Sequence, residues 1–234
     1  MNKTEKLYIE GEYLKNNPSW HAEDSSWKAV QIVKLLDRNK IEPNSICEVG
    51  CGVGEILSQL QKKLGKKVEF WGYEISPQAY EICKNKENSK LHFALRDILK
   101  EGSATCEVML LIDLIEHLED YYDFLRKIKD KSQFKILHIP LDLSAQGVLR
   151  KTPLLRSRKL AGHLHYFNKE LALQLLKDLE YKILDVVYTS GATDLPARSV
   201  VSFISKLPRK ILYYFNQDFA VRLLGGYSLL VLVK

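Results

Sequence analysis

The chain lacks any apolar run of membrane-spanning length. Its longest, Leu229–Val233, holds five residues, against the roughly 20 that a transmembrane helix needs. No membrane span is expected. The opening residues, MNKTEKLYIEGEYLK, contain no apolar stretch of the kind a secretory leader carries, so no leader is expected either. Cysteine is scarce. Cys47, Cys51, Cys83 and Cys106 form no CxxC pair, which excludes a zinc ribbon on spacing. Together these absences point to reduced thiols and a soluble, cytoplasmic protein. There is no internal repeat and no low-complexity tract, so solenoid and flexible-linker readings fall away.

What remains has the composition of a globular domain. At 234 residues, 46% hydrophobic and 27% charged, the chain suits one domain with decorations, able to bury a core without a structural metal. The formal charge is +6, unevenly spread. Between Leu149 and His165 stand Arg150, Lys151, Arg156, Arg158 and Lys159 and not one acid. Such a stretch attracts anions. Pro153 and the lack of a long apolar period predict a loop there, one that could recognise a negatively charged substrate through Arg156 and Arg158.

Strand-like and helix-like segments alternate through the middle. Ser45–Gly50, Lys67–Glu74, Leu91–Leu95, Val108–Ile112, Phe134–Ile139, Tyr181–Thr189 and Tyr227–Val233 read as strands. Helices are predicted at 26–36, 55–64, 76–86, 119–128 and 168–179, with Ser76 and Asn168 as N-caps and Pro77 at a first helical position. Alternation of this kind argues for an α/β sandwich, a mostly parallel sheet with helices on both faces. Residues 1–40 are expected as an N-terminal helical cap or lid, 41–190 as the core, and 191–234 as an insertion plus a final strand that completes the same domain.

One stretch carries chemistry. Glu48-Val49-Gly50-Cys51-Gly52-Val53-Gly54 follows the first strand and precedes a helix. Glycines at such a turn let the backbone approach a ligand where a Cβ would clash. The spacing is GxGxG, not GxGxxG, and no GK[ST] follows, so neither a dinucleotide fingerprint nor a P-loop fits. Glu74 closes the second strand, Asp97 the third and Asp113 the fourth. With Glu48 they put four acids at four successive strand ends, where open α/β sheets bind ligands.

In these motifs the sequence resembles the class I S-adenosylmethionine-dependent methyltransferases. ICEVGCGVGEIL, FWGYEIS, LRDIL and MLLIDLIEHL look like their first four motifs in order, over about residues 45–190. Asp113-Leu114-Ile115-Glu116-His117-Leu118 is similar to the type 11/type 23 small-molecule branch. The resemblance implies a Rossmann-like sandwich whose seven-stranded sheet is mostly parallel with the last strand antiparallel. It implies S-adenosylmethionine as cofactor, with Glu48, Gly50, Cys51, Gly52 and Gly54 around its methionine part. Glu74 and Ile75 would hold the ribose, Asp97 and Ile98 frame the adenine, and Asp113 and Leu114 line the floor. A cofactor without phosphate needs no lysine in the loop, but it needs acceptors for ribose hydroxyls, an amine and an ammonium, which carboxylates supply.

For the acceptor's proton the candidates are His117, His163 and His165, unranked; each could take a proton near neutral pH. Asp113 and Asp142 lack a third carboxylate to share a magnesium ion, so no metal is expected. The segment Asn17–Lys28, with Trp20, His21 and Trp27, could fill a groove or close over the cofactor. The expected function is methyl transfer to a small-molecule or carrier-bound metabolite, at oxygen, with an anionic acceptor. The competing readings are a silent cofactor-binding scaffold and an RNA-directed methyltransferase. The charge is modest for nucleic acid and no RNA-binding module is present.

Overall fold

A computed structural model describes residues 8–20, 22–100, 105–150, 152–197 and 200–234. His21 and Lys151 therefore lie outside the described residues. Seven strands, β1 (Ser45–Val49), β2 (Glu69–Glu74), β3 (Leu91–Leu95), β4 (Cys106–Ile112), β5 (Ser132–Pro140), β6 (Ile183–Thr189) and β7 (Ser228–Val233), form one sheet in the order β3-β2-β1-β4-β5-β7-β6. Strands β1 to β5 pair in parallel, while β7 is antiparallel to both β5 and β6. Strand order reverses beside β1, between β2 and β4, and this is where such sheets open a crevice at their carboxyl ends.

The central strands are apolar on both faces, as strands covered on both sides must be. In β4, Val108 and Leu110 join one buried cluster while Met109 and Leu111 join the other; β7 divides in the same way, Leu230 and Leu232 from Leu229, Val231 and Val233. On one face α2 (Ser25–Arg38) packs on α3 (Glu55–Leu64), burying Ala29, Ile32, Leu35 and Leu36 with Leu57 and Leu60. Helix α2 is thus a layer of the core. The expected boundary at residue 40 therefore falls after a helix of the core, and among the described residues before it α1 (Glu12–Asn16) is not part of that layer.

Helices α4 (Pro77–Cys83) and α5 (Tyr121–Ile128) start at side-chain caps: Ser76 Oγ accepts from the Ala79 N–H, and Asp120 from the Asp123 N–H. Asn168 caps α8 (Lys169–Asp178) in the same way. Two expectations are corrected. The basic stretch is helical, α6 (Ala145–Arg150) and α7 (Thr152–Leu160), not a loop. Pro153 is the second residue of α7, where its missing N–H costs no helical hydrogen bond. And Cys47 and Cys106, on neighbouring strands, are joined as a disulfide where reduced thiols were expected. Residues 191–226 are largely helical: α9 (Gly191–Asp194), α10 (Val200–Phe215) and α11 (Gln217–Leu223).

Candidate active site

A cavity of about 610 Å³ opens at the carboxyl ends of β1, β2, β3 and β4, within the roughly 300–1,000 Å³ of small-molecule sites. The glycine-rich turn makes its wall. Gly50, Gly52 and Gly54 all take left-handed φ values, 71°, 53° and 72°, which favour glycine. Gly50 and Gly52 line the cavity. Gly54 does not; a Cβ there would fall 2.4 Å from the Phe93 ring, so its place is close packing of α3 on β3.

Of the four strand-end acids, all line the cavity, but they differ in state. Glu74 is buried, and its carboxylate accepts from the backbone N–H groups of Gly52 (2.7 Å), Ile75 (2.8 Å) and Ser76 (2.8 Å). Burial raises its pKa against the lowering effect of those three donors. It ties the tip of the glycine loop to the end of β2. Glu48 is buried, and its Oε2 has no hydrogen-bond partner among the described residues. Burial pushes its carboxyl well above the usual range, with Lys28 opposing. Asp97 accepts from the Leu99 N–H (2.9 Å) and pairs with Lys100.

Asp113 is held hardest. It has a left-handed φ of 49°, uncommon for a non-glycine residue and frequent at functional sites. One carboxylate oxygen lies 2.7 Å from Lys28 Nζ; the other accepts from His138 Nδ1 at 2.5 Å, and His138 Nε2 meets Thr189 Oγ1 at 2.9 Å. Burial alone would raise the Asp113 pKa, but His138 and Lys28 outweigh it and hold the carboxyl well below its ordinary value. The same ion pair outweighs the effect of burial on Lys28 and raises its pKa.

Glu116, His117 and His163 also line the cavity. Glu116 is buried, and neither of its carboxylate oxygens has a hydrogen-bond partner among the described residues, His117 Nε2 standing 3.8 Å from Oε1. Burial raises its carboxyl well above the usual range, and Asp113 adds to the effect. His163 donates from Nδ1 to Asp142 at 2.8 Å, which leaves Nε2 as the acceptor nitrogen. The rings of His117 and His163 meet edge to face at 4.9 Å. One donor atom from each of Glu116, His117 and His163 lies within 4.8 Å of the others. This carboxylate and imidazole set could hold a transition-metal ion, where Asp113 and Asp142 alone gave no expectation of a metal.

His165 stands apart. It is not on the cavity wall, and its ring packs edge-on against Tyr121 at 4.6 Å. Arg156 and Arg158 are also absent from the wall and lie exposed on α7. Cys51, Ile75, Ile98 and Leu114 do line the cavity. From the N-terminal segment come Tyr8, Tyr13 and Trp20, with Tyr13 between the other two at ring distances of 4.7 and 4.8 Å. Sequence reasoning missed Lys28, His138 and the aromatic pair Tyr8 and Tyr13. The strand-end position of Asp113, which needs a cation nearby, is the signal that could have led to Lys28.

A family model described as a methyltransferase domain, type 23, matches residues 21–186. The chain belongs to the class I S-adenosylmethionine-dependent methyltransferases. Among curated members, the pavine N-methyltransferase of Thalictrum flavum subsp. glaucum is 30% identical over 127 residues, half of this chain and 36% of that protein. The mitochondrial ubiquinone biosynthesis O-methyltransferase of Schizosaccharomyces pombe is 31% identical over 104 residues, 41% of this chain and 36% of that protein. The matches thus span about a third of the length of these curated relatives. Among solved structures, the plantazolicin methyltransferase BpumL, bound to S-adenosylhomocysteine and a monoazolic desmethyl-plantazolicin analogue, aligns over 99% of this chain and 93% of its own. Its TM-score is 0.57 at 20% identity, a likeness of fold.

The site fits the cofactor of this methyltransferase family. S-Adenosylmethionine presents donors, namely two ribose hydroxyls, an exocyclic amine and an α-ammonium. The cavity has surplus acceptors on Glu48, and a left-handed glycine turn where the backbone can come close.

Proposed function

We propose that the protein transfers the methyl group of S-adenosylmethionine to an oxygen of a small-molecule or carrier-bound metabolite. The observation that carries this reading is the buried oxygen of Glu48, without a hydrogen bond among the described residues, in a cavity that three further strand-end acids also line. An ionisable group kept buried and unsatisfied costs stability, and such groups concentrate where a ligand completes them.

In this reading Glu48, with the backbone of Gly50, Cys51 and Gly52, receives the methionine part. Glu74 and Ile75 receive the ribose, Asp97 and Ile98 the adenine, and Leu114 the floor. The bound cofactor supplies an electrophilic methyl on a sulfonium. The chain's share is alignment and one proton. Holding acceptor oxygen, methyl and sulfur in line removes most of the entropic barrier. His163 takes the acceptor's hydroxyl proton on Nε2, while Asp142 fixes the ring and stabilises the imidazolium that forms. Tyr8, Tyr13 and Trp20 close the cavity against water.

The oxygens of Glu116, buried without a hydrogen bond among the described residues, favour a second reading of the same wall. There Glu116, His117 and His163 would hold a divalent cation, which would supply Lewis-acid activation of the acceptor hydroxyl. Chelator treatment separates the two: turnover survives it if His163 is the base and is lost, then restored by added Mn²⁺ or Zn²⁺, if a cation acts.

The reading is tested with methyl-labelled cofactor and a panel of hydroxylated metabolites, free and carrier-linked. Label in an ether product, with one S-adenosylhomocysteine released per methyl, supports it. Tight cofactor binding with no transfer to any acceptor would favour the silent scaffold. A salt-dependent complex with RNA that becomes labelled would favour the nucleic-acid reading.

A further inference from the structure

Helix α10 turns its apolar stripe toward solvent. Phe203, Ile204, Leu207, Ile211, Tyr214 and Phe215 recur at helical spacing along one face, and each is at least half exposed, Tyr214 at 86%. An ordinary surface helix buries that stripe and exposes the other. Here the polar side faces inward. Lys206 donates to the Leu195 carbonyl, Arg209 to the Gly225 carbonyl and to Gln146 of α6 at 3.2 Å, and Tyr213 stacks on Tyr227 at 5.4 Å. The fold therefore spends its polar contacts holding an apolar face outward, which marks an interaction surface.

The charge around this face says what covers it. With Lys206 and Arg209 turned inward, Lys210 is the exposed cation of α10, and the helix carries no acid. Through Gln146 and the packing of α11 on α6 it joins the α6–α7 corner. There Leu149 and Leu155 are 82% and 66% exposed, among the exposed cations Arg150, Arg156, Arg158 and Lys159. A second copy seated on this face would set like charges against each other. A lipid bilayer with anionic headgroups complements it, apolar side chains in the acyl boundary and cations among the phosphates. Helix α10, at 16 residues with Pro208 inside it, is too short to cross; no helix among the described residues is long and apolar enough to do so.

We propose that the outward face of α10, with the basic α6–α7 corner beside it, docks the protein on the surface of an anionic lipid bilayer. The helix lies in the plane of the interface. This assigns the acid-free segment 150–159 to headgroup contact in place of the acceptor recognition expected from sequence. Helix α7 runs on to Ala161 and His163 of the cavity wall, so the docked face adjoins the side where the acceptor enters. The inference does not rest on the methyl-transfer reading.

Flotation of the full chain with phosphatidylcholine vesicles, with and without phosphatidylglycerol, tests it in the absence of any acceptor. The wild type should float with phosphatidylglycerol vesicles at low salt and release at high salt. The triple variant F203S/I204S/L207S should bind about tenfold more weakly with its circular dichroism unchanged. The variant R156Q/R158Q/K210Q should lose about tenfold or more on anionic vesicles only. Absence of flotation, or wild-type binding by both variants, would overturn the proposal. So would light scattering that finds a wild-type dimer converted to monomer by the apolar triple variant, since a second copy would then be the partner.

Discussion

The ammonium of Lys28 lies 2.7 Å from a carboxylate oxygen of Asp113, tying the first turn of α2 to the carboxyl end of β4. The contact closes a chain of four side chains, since Asp113 also accepts from His138, which reaches Thr189 on β6. Two long-range elements thus converge on one strained residue beside the cavity.

Asp113→Asn should destabilise the fold by about 2 kcal/mol near neutral pH, the scale of breaking a partly buried pair. The folded carboxyl sits below its unfolded value, so the stabilisation is present above the unfolded pKa of about 4 and fades as pH falls below it. Denaturant melts of both proteins from pH 7 downward should therefore converge in acid. A constant gap would assign the loss to packing instead.

Glu48 has the opposite sign. Its folded pKa is raised by burial, so its contribution is intact below the unfolded pKa and is lost as pH rises through the folded value. Glu48→Gln should then melt higher than the wild type in the absence of cofactor, by about 1–2 kcal/mol at pH 8 and by nothing near pH 4. The same variant should bind S-adenosylmethionine about tenfold more weakly. Equal melting at both pH values would remove the buried charge from the account.

His163→Ala should lower kcat by about a hundredfold or more, with cofactor affinity unchanged by calorimetry. Asp142→Asn should lower it less and shift the acidic limb of the pH–rate profile, because it acts through the ring it orients. His165→Ala, off the cavity wall, should leave kcat within about threefold. A larger effect from His165 than from His163 would reverse the assignment.

The parts legible in sequence were those written locally. Alternating apolar strands, the GxGxG turn and the acids at strand ends each follow from a short window, and the structure places Glu48, Glu74, Asp97 and Asp113 on one cavity. What could not be read needed tertiary contact. His138 looks like a residue inside a strand, and only the approach of β6 and the end of β4 makes it a bridge between Thr189 and Asp113. Segment 150–159 was misread as a loop because Pro153 reads as a breaker, whereas in a first helical turn it fits. The outward stripe of α10 has an ordinary amphipathic spacing, and nothing in the spacing tells which side the fold will bury.

The central claim, that this cavity binds S-adenosylmethionine through strand-end acids, is tested most directly at Glu74. Its two carboxylate oxygens already take three backbone N–H bonds, two on Oε1 and one on Oε2, and Oε2 keeps a lone pair for a ribose hydroxyl, a charge-assisted bond contributing about 1.5–3 kcal/mol. Calorimetric titration of S-adenosylmethionine into wild type and Glu74→Ala, with both melting curves recorded, should show saturable binding by the first and affinity about tenfold or more weaker in the folded second. Equal affinity in the two would contradict the cofactor site described for this cavity.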